Sequence, residues 1–202
     1  MTSYLIPELP QESITIVKKS QFICFVEHCE NREQAHFFID KIKALHPTAN
    51  HNCWAYIAGK PTDPSGWGSN DDGEPKGCAG KPMFNVIHHS NIGEICVVVT
   101  RYFGGIKLGT GGMARAYSGA VSNSLTTLKL ITKHHYKNYL LQTPYPLLQT
   151  IEKILTAQHA LITSSEYGME VNLNIQLRKD MLTESLALLN SYQHQGLSIQ
   201  EK

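Results

Sequence analysis

An α+β chain of two domains is the prediction, and three observations carry it. Strand-like and helix-like periodicities alternate throughout the chain. Glycine is confined almost wholly to its middle, with 13 of 15 glycines between Gly59 and Gly119. Beyond residue 131 the composition changes and the pattern becomes a nearly symmetric βαββαβ, the ferredoxin-like order. These place the domains at 1–131 and 132–202.

Taken in order, Ile14 to Val17 alternates, Lys18 to Gln21 reads as a turn, and Phe22 to Val26 returns as a second strand. Asn31 is placed to cap a helix, with Gln34 as its capping-box partner. Ala35, Phe38, Ile39, Ile42 and Leu45 share one face of that helix, and Pro47 stops it. His51 to Ala58 is a third strand. Residues 60–81 carry no periodicity and read as a long loop, a length usually tied to function or disorder. Pro82 opens a helix toward Asn91, with Met83, Val86 and Ile87 inward. Ile95 to Tyr102 is apolar enough to be buried on both faces. After Gly111 and Gly112 a helix carries Met113, Ala114, Tyr117, Val121, Leu125 and Leu128 on one stripe.

In the second domain Tyr136 to Gln142 is a strand. Pro144 and Pro146 lead a helix with Leu148, Ile151, Ile154 and Leu155 inward. Leu161 to Tyr167 and Met169 to Leu177 form a hairpin through Gly168. Asp180 caps a helix with Met181, Leu182, Leu186 and Leu189 inward, and Leu197 to Gln200 is the closing strand. Six basic and six acidic residues balance over 133–202, so this domain reads as a support or docking module.

Composition narrows the function. The 202 residues are 42% hydrophobic and 17% charged, which fits a globular chain and excludes a disordered one. No stretch approaches the ~20 apolar residues of a membrane helix, and MTSYLIPELP lacks the basic and apolar parts of a secretory signal. Five cysteines with no CxxC pair point to free thiols in a reducing cytoplasm. The net charge of +1 excludes a strongly basic binder. Locally the balance differs: Lys76, Lys81, Arg101, Lys107 and Arg115 face Glu94 alone between residues 76 and 115.

Two motifs concentrate the chemistry. The first is the loop Asp71, Asp72, Gly73, Glu74, Pro75, Gly77 and Gly80. Its carboxylates have the chemistry to hold a divalent cation or a general base, yet the spacing is not that of an EF-hand. The alternative is an ordered binding turn before the Pro82 helix. The second motif comprises Arg101, Tyr102, Gly104, Gly105, Lys107, Gly109, Gly111, Gly112 and Arg115, a strand running through glycines into a helix. Free N–H groups there, with two cations, suit an anion such as phosphate, and Tyr102 or Phe103 offers a stacking face. Thr110 stands where a Walker loop needs Lys, and no GxGxxG pattern exists. Close helix–strand packing with solvated cations is the competing reading. His51, Cys53, His88 and His89 lack the paired spacing of a zinc site, so neither a metal nor a cofactor is expected. Cys78 among glycines and lysines has no evident base.

The strings KKSQFICFV, HNCWAYIAG, NDDGEPKGCAGKPM and VVVTRYFGGIKLGTGGMARAY resemble the IMPACT family, in particular its bacterial YigZ-like branch, over residues 18–117. The resemblance implies a first domain like the second domain of a small-subunit ribosomal protein and a second like the last domain of elongation factor G. It carries over Asp71 to Pro75, Gly77, Ala79, Gly80, Arg101 to Gly105, Lys107, Gly109, Gly111, Gly112, Arg115 and Tyr117. Cys78 departs from the family's usual Thr, which tilts the reading from an enzyme. The resemblance implies a cytoplasmic RNA- or ribosome-associated protein linked to translation, with a translation-related protein as a further partner and no membrane. Two other readings stand beside it: a phosphate- or nucleotide-binding enzyme with a Gly-rich loop like that of small-molecule kinases, and a pure protein-interaction module.

Overall fold

The computed structural model describes residues 2–202, and the chain is α+β. It divides into two compact units, one spanning Tyr4–Lys133 and the other His134–Lys202 together with Thr2 and Ser3.

The first unit is built on a five-stranded sheet of β2 (Gln11–Val17), β3 (Ser20–His28), β6 (Ile95–Tyr102), β4 (His51–Ile57) and β5 (Trp67–Asn70), in that spatial order. Every neighbouring pair is antiparallel. β3 and β4 both run against β6 and are therefore parallel to each other with β6 between them. Helix α1 (Arg32–Leu45) joins them as a split βαβ crossover. Helix α2 (Gly80–His89) joins β5 to β6 in the same way. The expected βαβ element thus exists with a strand inserted. β1 (Ser3–Pro7) and β7 (Leu130–His134) pair in a separate two-stranded sheet.

β6 is central, and its alternation serves two cores. Val97 and Val99 meet Met83 and Ile87 of α2 and Tyr117 and Val121 of α3 (Thr110–Thr127). Cys96 and Val98 meet Phe38, Ile39 and Ile42 of α1. Burying one such aliphatic side chain is worth ~1.5–3 kcal/mol, so the chain spends its most apolar segment where both faces are covered. Small residues close α3 onto the sheet: the buried stripe includes Ala116, Ala120 and Ser124, while Met113, Ala114 and Leu125 are only partly covered. The helix caps show the same local logic. Gln34 N–H donates to Asn31 Oδ1 at 2.9 Å, and the Gln34 side-chain carbonyl accepts from Glu30 N–H at 2.8 Å.

The segment 60–81 is not structureless. A 3-10 turn at Pro64–Gly66 and strand β5 occupy it. Trp-Gly-Ser-Asn has no alternation to read; it becomes a strand because its backbone pairs with Trp54 to Ile57. The β2–β3 turn is also tighter than expected, two residues (Lys18 and Lys19) rather than four, with Ser20 and Gln21 already paired in β3.

The second unit holds β8 (Tyr136–Thr143), α4 (Tyr145–Ala157), β9 (Leu161–Tyr167), β10 (Val171–Arg178), α5 (Leu182–Asn190) and β11 (Ser198–Glu201). The strands form one antiparallel sheet in the order β11-β8-β10-β9. Leu147, Ile151, Leu155 and Leu189 pack on Leu141, Leu173, Ile175 and Leu177. Leu147, rather than Leu148, is the buried residue of the first turn of α4. Asp180 does not cap α5: its carboxylate accepts from Arg178, and the N-cap position falls on Met181. All five cysteines are free and buried.

Candidate functional site

The 71–80 loop leaves β5 and enters α2, and each of its carboxylates has an internal partner. Asp71 accepts N–H bonds from Gly77 at 2.7 Å, Gly80 at 2.8 Å and Ala79 at 3.0 Å. Two of these donors, Ala79 and Gly80, are at the start of α2, so the carboxylate caps that helix from the preceding loop. Burial pushes its pKa up, but the three N–H bonds outweigh that and hold it below the usual carboxylate value. Asp72 accepts from Lys43 Nζ and Asn52 N–H, both at 2.7 Å. Burial again opposes, and these bonds again hold the carboxyl low. Asp72 sits at φ +45° and Gly73 at +86°, so the chain reverses there in the left-handed region. His51 Nδ1 donates to the Asp72 carbonyl at 2.8 Å.

Glu74 is buried. Its Oε1 accepts from Arg101 Nη1 at 2.5 Å and from the Tyr117 hydroxyl at 2.8 Å. Burial drives the Tyr117 phenol far above its ordinary value, with Cys53 and Glu74 adding to the effect, so it serves as a donor. Cys53 lies in the same network, its Sγ 3.0 Å from the Asp71 carbonyl; burial raises its pKa too, which makes it an inert core thiol. The Arg101 guanidinium lies 5.6 Å from the Phe22 ring centroid and 5.5 Å from that of Phe103. Arg101 is thus a buried cation that joins the loop to the sheet, not a surface charge.

Above this network opens a cleft of about 400 Å³ lined by His51, Glu74, Arg101, Phe103, Lys107, Gly109, Thr110 and Met113, among others. α3 begins at its wall. Gly109 stands at φ +72° as N-cap, no side chain caps the helix, and its first turn carries no acidic residue. α2 has its N-terminal amides filled by Asp71; those of α3 have no such carboxylate. The cleft therefore combines the side-chain-uncapped start of α3, Lys107 and the exposed face of Phe103, chemistry suited to an anion with an attached planar group.

The anticipated anion set divides between two neighbouring hollows that share Leu108: Arg101, Lys107 and Gly109 line the cleft, whereas Gly112 and Arg115 line a smaller hollow beside Lys18. Tyr102 faces away, since strand alternation puts it opposite Arg101, and its hydroxyl meets His46 Nδ1 at 2.9 Å. Gly104 serves packing: a Cβ there would lie 2.0 Å from the Lys19 backbone. Gly80 is equally confined by the backbone of Asn70, while Gly105 and Gly77 adopt positive φ in open space. His88 stacks on Phe84 and meets the Trp67 ring edge-on. One cluster escaped the sequence altogether. Buried Glu94 accepts from the Tyr4 hydroxyl at 2.6 Å and meets His28 and Lys133 at 2.7 Å each, and Lys133 also reaches Glu30 at 3.0 Å. Only tertiary structure joins residues 4, 28, 30, 94 and 133, so no spacing signals it. Its cation is the lysine itself, which lies between Glu30 and Glu94.

Fold and site together define a two-unit α+β protein whose glycine-rich loops surround an anion-suited cleft. Residues 18–125 match the Impact N-terminal domain. Over 98% of both chains this protein is 40% identical to the IMPACT family member YigZ of Escherichia coli K12. It is 41% identical to an IMPACT family member of Haemophilus influenzae over 88% of this chain and 85% of that one. A crystal structure of a hypothetical protein, 40% identical, superposes with a TM-score of 0.68 over 98% of this chain and 97% of its own. The chain belongs to the IMPACT family.

Proposed function

We propose that this chain is a cytoplasmic RNA- or ribosome-associated protein linked to the regulation of translation, acting by binding rather than catalysis. The observation that carries the reading is one of charge. α2 and α3 contain no Asp or Glu, and around them Lys76, Lys81, Lys107 and Arg115 are exposed. Between residues 75 and 133 the single carboxylate is Glu94, which is buried among three donors. A face without carboxylates attracts polyanions even when the whole chain is near neutral.

Two features add support. The split βαβ crossovers of the first unit agree with a ribosomal-protein-like domain, and the β11-β8-β10-β9 order of the second agrees with a ferredoxin-like one of the elongation-factor type. The internal partners of Asp71, Asp72 and Glu74 favour loop ordering over acid–base work. Among the described residues no helix is long and apolar enough to cross a membrane. The test is retention of RNA by the intact chain on filters across a salt series. Affinity should fall linearly on log–log axes. Absent retention overturns the reading, and salt-insensitive capture of a protein instead would establish the interaction-module alternative.

A further inference from the structure

Three hollows of the first unit are neighbours that share lining residues. A shallow groove of about 750 Å³ lies between α2 and α3, a small hollow of about 240 Å³ lies beside the β2–β3 turn, and the cleft of about 400 Å³ opens before α3. Arg115 lines both the groove and the hollow, and Leu108 lines both the hollow and the cleft. The three therefore form one track around the start of α3. Glu74 is the one carboxylate along it, and Arg101 neutralises it.

The β2–β3 turn stands over this track with an unusual composition. Lys18 and Lys19 occupy φ +45° and +66°, the left-handed region that two-residue hairpins normally fill with Asn-Gly. Both are exposed, and neither side chain has a hydrogen bond or ion pair among the described residues. The turn is pinned from below: Gly104 N–H donates to Ser20 Oγ at 3.1 Å, and the Lys19 carbonyl occupies the space a Cβ on Gly104 would need. Packing gives no reason for lysine at either position. Charge gives one: Lys18 lines the hollow with Arg115, and Lys19 is the exposed cation next to it in the turn.

We propose that this track is the path of a single-stranded RNA backbone, with Lys18 and Lys19 as phosphate contacts in series with Arg115 and Lys107. The inference rests on the RNA reading above and adds to it the strand form, the route and two contact residues. Exposed Phe103 beside the cleft gives an unpaired base a face to stack on, which a single strand can use and a base-paired duplex cannot.

The test is the double variant Lys18→Asn, Lys19→Gly, which removes both charges while installing the pair the turn prefers. Its thermal midpoint should hold or rise. Its affinity for a labelled 12-nucleotide single-stranded RNA should fall roughly tenfold at 0.1 M salt, and the log–log salt slope should shrink by about 1.4, near 0.7 per lost contact. Lys18→Gln alone should produce about half that change in slope. Unchanged affinity in both variants, with the wild-type chain binding normally, overturns the path. Equal competition by a duplex RNA overturns the strand assignment. A wild-type chain that binds no RNA at all overturns the parent reading instead.

Discussion

Glu74 and Arg101, 27 residues apart in sequence, meet at 2.5 Å with both side chains buried, so the floor of the cleft is an ion pair. The Tyr117 hydroxyl completes it from α3. Three separate segments, the 71–80 loop, β6 and α3, are thereby fixed at one point.

Removing one partner of this pair should destabilise the first unit strongly. Arg101→Ala leaves a buried carboxylate with only the Tyr117 hydroxyl at 2.8 Å and His51 Nε2 at 3.9 Å, and should cost about 3–5 kcal/mol. Glu74→Gln should also destabilise, and the double variant Glu74→Gln, Arg101→Ala should cost less than the sum of the two single changes. Urea denaturation of the four chains gives the coupling directly. Strict additivity would show that the pair contributes nothing as a pair.

The Asp71 cap should behave as a helix cap with more than the usual number of donors. Asp71→Ala exposes three N–H groups and should cost at least the ~0.5–2 kcal/mol of an ordinary cap. Asp71→Asn should cost less, because its carbonyl still accepts. Hydrogen exchange at Gly77, Ala79 and Gly80 should accelerate in the alanine variant; unchanged protection there would refute the capping role.

The Glu94 cluster predicts a pH limb. Burial raises the Glu94 pKa, but Lys133, Tyr4 and His28 together outweigh it, so the folded carboxyl titrates below its ordinary 4.5. A carboxyl lowered on folding stabilises the folded state above the unfolded pKa, and that stability is lost as pH falls through the folded one. Stability should therefore decline with acid from about pH 4.5 downward, with Asp71 and Asp72 adding to the limb below about 3.8. In Glu94→Gln the chain should be less stable at pH 7 and its acid limb shallower. Parallel acid limbs in the two proteins would remove Glu94 from the account.

Much of this arrangement was legible in the sequence, in proportion to how local its causes are. α1 follows from Asn31, Gln34 and one apolar stripe, and β6 from an unbroken apolar run between two polar ends. β5 was invisible because its four residues are strand only by pairing with β4. The stripe on α3 was misplaced toward Met113 and Ala114, since close approach to the sheet selects Ala116, Ala120 and Ser124 by smallness rather than hydrophobicity. At the site, the motif residues were identifiable while their partners were not. That Asp71 serves α2, Asp72 serves Lys43 and Glu74 serves Arg101 depends on long-range register. The two-residue reversal at Lys18 and Lys19 has no local signal either, because neither residue is one that favours the left-handed region.

The cysteines should be silent until the fold opens. Burial raises the Cys24 pKa to about 12 and drives Cys53 and Cys96 higher than free thiols, and all five side chains are buried. Thiolate, the reactive form, is scarce at those three, and burial keeps a reagent from all five. A thiol-specific reagent should label none rapidly at pH 8 and five in denaturant. Fast labelling of Cys78 in the native chain would show that the 71–80 loop opens on its own.

The last prediction separates the two sides of α3. Lys107 lines the cleft and Arg115 the hollow and groove, so they contact a bound strand at different points. Lys107→Ala and Arg115→Ala should each reduce the salt slope of RNA binding by about 0.7, and the double variant by about 1.4, because independent phosphate contacts add. Preference among RNA sequences should survive both, since such contacts position rather than specify. Thermal stability should hold, because both side chains are exposed and lie outside the buried stripe. An unchanged slope in the double variant would mean that these cations are only solvated, and the α2–α3 face would then lose its claim as the binding surface.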